Sequence, residues 1–209
     1  MMSLATLKTR ISYQSLLLAG FALVASALLG LADLNTRDVI KLRLEEDLRT
    51  SLAEVIPQPV FDNNLLKDTV IISTRNEGLG ADETLVYIAR KQGKVSAVSF
   101  GLVAGGGYSG DINLIMGIDK EGEILGVRVI SHAETPGLGD KIEISKSDWI
   151  LGFAGYSLQN LTLKQWAVKK DGGQFDQFSG ATITPRAIVR SIYQGLQFFK
   201  HHQAELLAV

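Results

Sequence analysis

Hydrophobic and polar positions along this chain change period several times, and each change marks an element. Residues 11–32 carry no charge, and within 16–32 the only hydroxyl is Ser26, in a run of Leu, Ala, Gly, Val and Phe. As a helix these 22 positions extend roughly 33 Å, enough to cross a hydrocarbon core about 30 Å thick. Beyond Asp33 charges become frequent while Ile40, Leu44, Leu48, Leu52 and Ile56 recur at every fourth place. That spacing describes an amphipathic helix that must stop before Pro57. From about Lys67 the period falls to two, which predicts strands at 69–73, 84–89, 95–103, 112–118 and 124–130. Gln92-Gly93 and Lys120-Glu121-Gly122 are short enough to be hairpin turns, so the strands they join run antiparallel. Near the end, Ile188, Ile192, Leu196 and Phe199 return to helical spacing. Thr184 as N-cap and Pro185 as first helical residue are the expected start of that helix.

With helices before and after the strands, the fold class is α+β: a single N-terminal transmembrane helix, then a domain built on antiparallel sheet with flanking helices. The expected division is 1–33 for the N-terminus and anchor, 34–57 for the amphipathic linker helix and 58–209 for the domain. The linker's apolar stripe either packs on the domain or docks on partner subunits. Gly105-Gly106-Gly107-Tyr108-Ser109-Gly110 opens a strand rather than a helix, so it reads as a loop and not as a dinucleotide-binding turn.

Lys8 and Arg10 precede the apolar span and Asp33 follows it, which places the N-terminus in the cytoplasm and the domain outside. A cleaved signal peptide also fits a basic start and an apolar centre; the length of the span favours an anchor, and both readings export the domain. Lys and Arg number 21 against 22 Asp and Glu, with no block of like charge, so nucleic acid is not an expected partner. There are no cysteines and only three histidines, His132, His201 and His202. Thiolate metal sites and thiol redox chemistry are therefore excluded, and no metal-ligand constellation is evident.

The chemistry concentrates in residues 176–184, Asp-Gln-Phe-Ser-Gly-Ala-Thr-Ile-Thr. This resembles the target at which a flavin transferase esterifies FMN phosphate onto threonine, Asp-x-x-Ser/Thr-Gly-Ala-Thr/Ser, and Asp176, Ser179, Gly180, Ala181 and Thr182 fill every specified place. Residues 132–140, His-Ala-Glu-Thr-Pro-Gly-Leu-Gly-Asp, and 166–173, Trp-Ala-Val-Lys-Lys-Asp-Gly-Gly, stand in the order found in one family of small flavoproteins. Over nearly its whole length the chain is similar to the G subunits of the Rnf electron-transport complex, called in enterobacteria the SoxR-reducing complex. The C subunit of the sodium-pumping NADH:quinone reductase carries the same acceptor motif on a longer chain and is the nearest alternative. A non-redox extracytoplasmic binding or assembly module is the alternative from another class.

The resemblance implies an inner-membrane electron carrier with FMN joined covalently to Thr182, working among the membrane and peripheral subunits of a complex. Such a complex couples electron transfer between ferredoxin and NAD to ion movement, or in some bacteria keeps the SoxR sensor reduced. A magnesium-dependent transferase is the implied partner in maturation. Glu134 and Thr135 would offer polar contacts to the flavin, Leu138 would cover an aromatic face, and Tyr108 and Ser109 would support the site. A phosphodiester on Thr182 would lie near a helix start, with Lys169, Lys170 and Arg186 as candidate cations. An electron carrier needs no acid-base residue, because the cofactor performs the redox step; His132 is expected to order its loop.

Overall fold

The computed structural model describes residues 11–75 and 77–209; Lys8 and Arg10, on which the orientation rests, lie outside them. The chain divides into two compact units, Met1–Asp47 and Leu48–Val209. Helix α1, Ile11–Val55, includes both the apolar span and the amphipathic stretch. It is long and apolar enough to cross a membrane, and none of its most apolar window is buried within the protein. Phe21, Leu18 and Leu23 are each 72% exposed, an arrangement that water disfavours and lipid accepts.

The amphipathic stripe serves two environments. Leu52 and Ile56 are buried and Leu48 packs against their cluster, whereas Ile40 and Leu44 remain exposed. Packing on the domain therefore accounts for only the last turns of the stripe.

Five strands form one antiparallel sheet in chain order: β1 (Thr69–Ser73), β2 (Glu83–Lys91), β3 (Lys94–Ala104), β4 (Ile112–Asp119) and β5 (Ile124–Ser131). The 92–93 turn has both residues at positive φ, 52° for Gln92 and 77° for Gly93, as a two-residue hairpin in a right-twisted sheet requires. Alternation assigns the faces. Val98, Phe100 and Leu102 of β3 and Leu114, Met116 and Ile118 of β4 point into a core shared with helix α2 (Ile183–Ala208), where the expected stripe of Ile188, Ile192, Leu196 and Phe199 is buried. Phe100 meets Phe198 edge to face, with centroids 4.9 Å apart.

On the opposite face Ala89, Ala97 and Ile115 receive Leu52, Val55 and Ile56. The end of α1 rests there almost directly on backbone. Ser99, Gly117 and Gly126 pair across three strands as a row of small residues, and a Cβ on Gly117 would collide with the Val55 carbonyl. Arg128 of β5 closes this seat by donating to Glu54, 3.0 Å away.

Between β5 and α2 the chain makes no regular sheet or α-helix, only 3-10 turns such as Asp148–Phe153 and Lys169–Asp171. Aromatic side chains hold it together. Phe153 stacks on Phe175 at 4.6 Å, and Trp149 contacts Phe153 and Phe178 edge to face, both at 5.1 Å. Trp166 joins the same group through Phe175 and Tyr193. An irregular stretch of this length inside a compact domain is uncommon and tends to carry function.

Candidate functional site

The acceptor motif ends that irregular stretch and runs into α2. Trp149 Nε1 donates to the Asp176 carbonyl at 2.8 Å, and Phe178 is buried beside Trp149, so two aromatics anchor the start of the motif. Ser179 and Gly180 then form an exposed turn closed by the Ala181 N–H donating to the Phe178 carbonyl, with Gly180 at φ 80°. That positive φ favours glycine, and the missing Cβ faces Leu138 of the 132–140 loop at contact distance. The structure thus brings Leu138 against the motif.

The start of α2 differs from expectation. Thr182, not Thr184, is the N-cap, and Thr182 makes no side-chain capping bond. Thr184 lies inside the first turn, is fully buried, and its hydroxyl donates to Glu134 Oε2 at 2.6 Å. Pro185 is tolerated two places later than a first helical residue should be, because none of the first four N–H groups of a helix has an intrahelical partner. The competing partner, Glu134, is 50 residues away in sequence, so local cap rules could not reveal it. The two threonines end in opposite states. Thr182 is half-buried and its hydroxyl has no partner among the described residues, whereas the Thr184 hydroxyl is sealed and engaged.

The 132–140 loop forms the adjoining wall. Leu138 N–H donates to the Thr135 carbonyl at 3.1 Å across Pro136 and Gly137, with Gly137 at φ 79°. This is the turn expected from Pro followed by Gly. Glu134 points inward: Oε1 accepts from the Ser109 N–H at 3.2 Å, and Oε2 from Thr184. Thr135 is half-buried and Leu138 is 43% exposed, so of Glu134, Thr135 and Leu138 only the last two reach the surface. His132 orders it. Its Nδ1 accepts from the Glu134 N–H at 3.0 Å, which leaves Nε2 as the donor to Glu143 at 2.8 Å. That bond holds the Glu143 carboxyl below its usual range.

The candidate cations separate. Lys169 bonds both oxygens of Asp176, at 2.8 and 2.9 Å. Arg186 forks onto Asp171, whose carboxyl is held low by those hydrogen bonds. Lys170 is exposed, and its ammonium makes no hydrogen bond or ion pair among the described residues. Of the three, Lys170 is the cation left available to an added anion. Lys169 and Arg186 instead brace the motif from either side.

Large apolar side chains are exposed on the segments that meet here: Leu138 at 43% against Gly180, Ile183 at 47% next to Thr182 in the chain and, on the loop that reaches Glu134, Tyr108 at 70%. Ile183 escaped the sequence reading because Thr184 was expected to be the cap. Placing the helix start at Thr182 turns Ile183 off the buried stripe and beside the free hydroxyl. A free hydroxyl, an unpaired ammonium and exposed apolar groups fit a flavin phosphate and its ring.

Comparison with known proteins also points to FMN. An FMN-binding domain family matches residues 107–197, which include Glu134, Leu138 and Thr182. The chain is 52% identical over 193 residues to the G subunit of the ion-translocating oxidoreductase complex of Cereibacter sphaeroides, covering 92% of this chain and 86% of that protein. It is 45% identical over 194 residues to the protein of the same name from Shewanella oneidensis, covering 92% and 91%. With that from Haemophilus influenzae it shares 51% over 171 residues, 82% of this chain and 81% of the relative. At such identity and coverage the chain belongs to the G-subunit family of ion-translocating oxidoreductase complexes, the Rnf family.

Proposed function

We propose that this protein is a membrane-anchored electron carrier of an ion-translocating oxidoreductase complex, holding FMN as a phosphoester on Thr182. One observation supports Thr182 most directly: of the two threonines in the motif, only Thr182 presents a free hydroxyl. When bound, FMN supplies transfer of one or two electrons. The chain's own residues bind and orient it. Lys170 offers charge to the phosphate, Thr135 and Leu138 border the ring, and Tyr108 and Ile183 extend the apolar surface around it.

Attachment requires a donor in which the flavin phosphate is activated as a phosphoric anhydride, because condensing free FMN with a hydroxyl in water is unfavourable. Thr182 Oγ1 bonds to the flavin phosphorus, the anhydride P–O bond breaks, and the nucleotide leaves with the electron pair. The hydroxyl proton passes to a base of the transferase, since Thr182 has no side-chain base bonded to it here. The small residues Ser179, Gly180 and Ala181 let the motif enter another active site.

The test is a denaturing gel of the full chain co-expressed with an active flavin transferase and viewed by flavin fluorescence. A fluorescent band at the mass of the protein is expected. A dark band with active transferase removes the covalent reading.

The family supports a membrane location, and α1 is the anchor. We place the domain in the periplasm, on the cations preceding the apolar span. A periplasm-dependent reporter fused after Val209 is expected to be active; activity of a cytoplasm-dependent reporter at that position would reverse the orientation.

A further inference from the structure

Glu134 is only 6% exposed, and its carboxylate bonds two separate segments. Oε1 accepts from the Ser109 N–H of the glycine loop and Oε2 from the Thr184 hydroxyl of α2. The socket is cut to its shape by two glycines. A Cβ on Gly107 would stand 2.7 Å from Oε1, and one on Gly139 would stand 2.5 Å from Oε2 and 3.0 Å from Thr184 Oγ1. Either approach is too close for ordinary packing, so both positions must lack a side chain for the carboxylate to sit there.

No cation pairs with Glu134 among the described residues; its side-chain partners are an amide and a hydroxyl. Burying a carboxylate with neutral donors alone is unfavourable unless something further offsets it. The N-terminal end of α2, where Thr184 is the second helical residue, offers that field. The glycine loop is fastened to the same helix a second time, where Arg190 donates to the Gly105 carbonyl at 2.9 Å.

We infer that Glu134 is a positioning residue for flavin attachment. By clasping Thr184 and the Ser109 amide it fixes the first turn of α2, so that Thr182 stands at the N-cap with its hydroxyl outward, and it occupies the neighbouring hydroxyl that could compete. The inference rests on Thr182 being the acceptor, and it assigns Glu134 to presentation of that acceptor rather than to contact with the ring. Thr184 carries the link from Glu134 to Thr182.

Two measurements test it on the full chain in detergent. The first is amide hydrogen exchange in flavin-free wild type. Ser109 lies on an exposed loop, yet its amide is expected to exchange at least about tenfold more slowly than that of Tyr108. The second is the rate of covalent flavin loading by transferase, Mg2+ and the anhydride-activated flavin. Thr184→Val keeps the side-chain shape but loses the donor, and should load at least about tenfold more slowly, since small displacements of a reacting group carry penalties of that size or more. Thr184→Ser restores the hydroxyl and should load within about twofold of wild type. A Ser109 amide that exchanges as fast as Tyr108, or a folded Thr184→Val that loads at the wild-type rate, overturns the inference. Wild type that takes no covalent flavin removes Thr182 as acceptor instead, and it leaves the exchange result standing, so the two failures are distinct.

Discussion

Thr182→Val is expected to eliminate flavin fluorescence from the denatured protein while leaving it folded and membrane-inserted. Valine nearly matches threonine in shape and removes one oxygen. At most N-caps that loss costs about 1 kcal/mol, but Thr182 makes no side-chain capping bond. Its hydroxyl contributes nothing visible to the helix start. The stability change should therefore stay within about 0.5 kcal/mol, as for substitutions that break no buried contact. The same change two residues on has the opposite profile. Thr184→Val leaves a buried Glu134 oxygen without its donor, and should cost about 1–3 kcal/mol while any flavin attached still maps to Thr182. Peptide mass spectrometry and thermal melting separate the two variants. Covalent FMN found on Thr184 or Ser179, or a fluorescent Thr182→Val band, would show that the motif has been read in the wrong register.

That contrast also marks where sequence reasoning stopped. The strands were legible because a half-buried sheet imposes period two, and the hairpin at Gln92-Gly93 announced itself through residues that accept positive φ. Expected strands at 69–73 and 112–118 became Thr69–Ser73 and Ile112–Asp119. The Pro136-Gly137 turn was legible for the same local reason. The cap of α2 was not, because what occupies Thr184 is a carboxylate brought close only by the fold. The linker stripe was half legible: its period announced a helix, but only packing shows that Leu52 and Ile56 meet the sheet while Ile40 and Leu44 do not. The stretch from His132 to Asp176 was least legible of all. Its turns follow no period, and its order comes from Trp149, Phe153, Trp166, Phe175 and Phe178 meeting across long separations. The resemblance alone supplied Glu134, Thr135 and Leu138 as candidates; periodicity does not single them out.

Two adjacent glycines in that stretch give the sharpest stability test of how the motif is held. The Gly173 N–H donates to the Val168 carbonyl at 3.1 Å, and Phe175 exchanges backbone bonds with Ala167 and Lys169, at 3.1 and 2.7 Å. These bonds fold residues 165–175 tightly back on themselves just before Asp176. At their centre a Cβ on Gly173 would overlap the Ala167 carbonyl carbon and oxygen as well as its Cα, all of them backbone atoms that no rotamer change can move aside. Gly173→Ala must therefore open the fold-back and draw Phe175 away from Phe153. Overpacking of this kind costs about 3 kcal/mol, which for a chain of this size lowers Tm by roughly 6–12 °C. The motif should also load flavin more slowly, since Phe175 and the Lys169 to Asp176 bridge both depend on that geometry. Gly172 is the internal control. It sits at φ 84° with open space where its Cβ would go, so Gly172→Ala carries only the left-handed penalty of about 1–2 kcal/mol and should leave the Phe175 contacts in place. Thermal melts of the two variants that coincide, or a Gly173→Ala protein as stable as wild type, would mean that the aromatic cluster holds the acceptor segment without the fold-back.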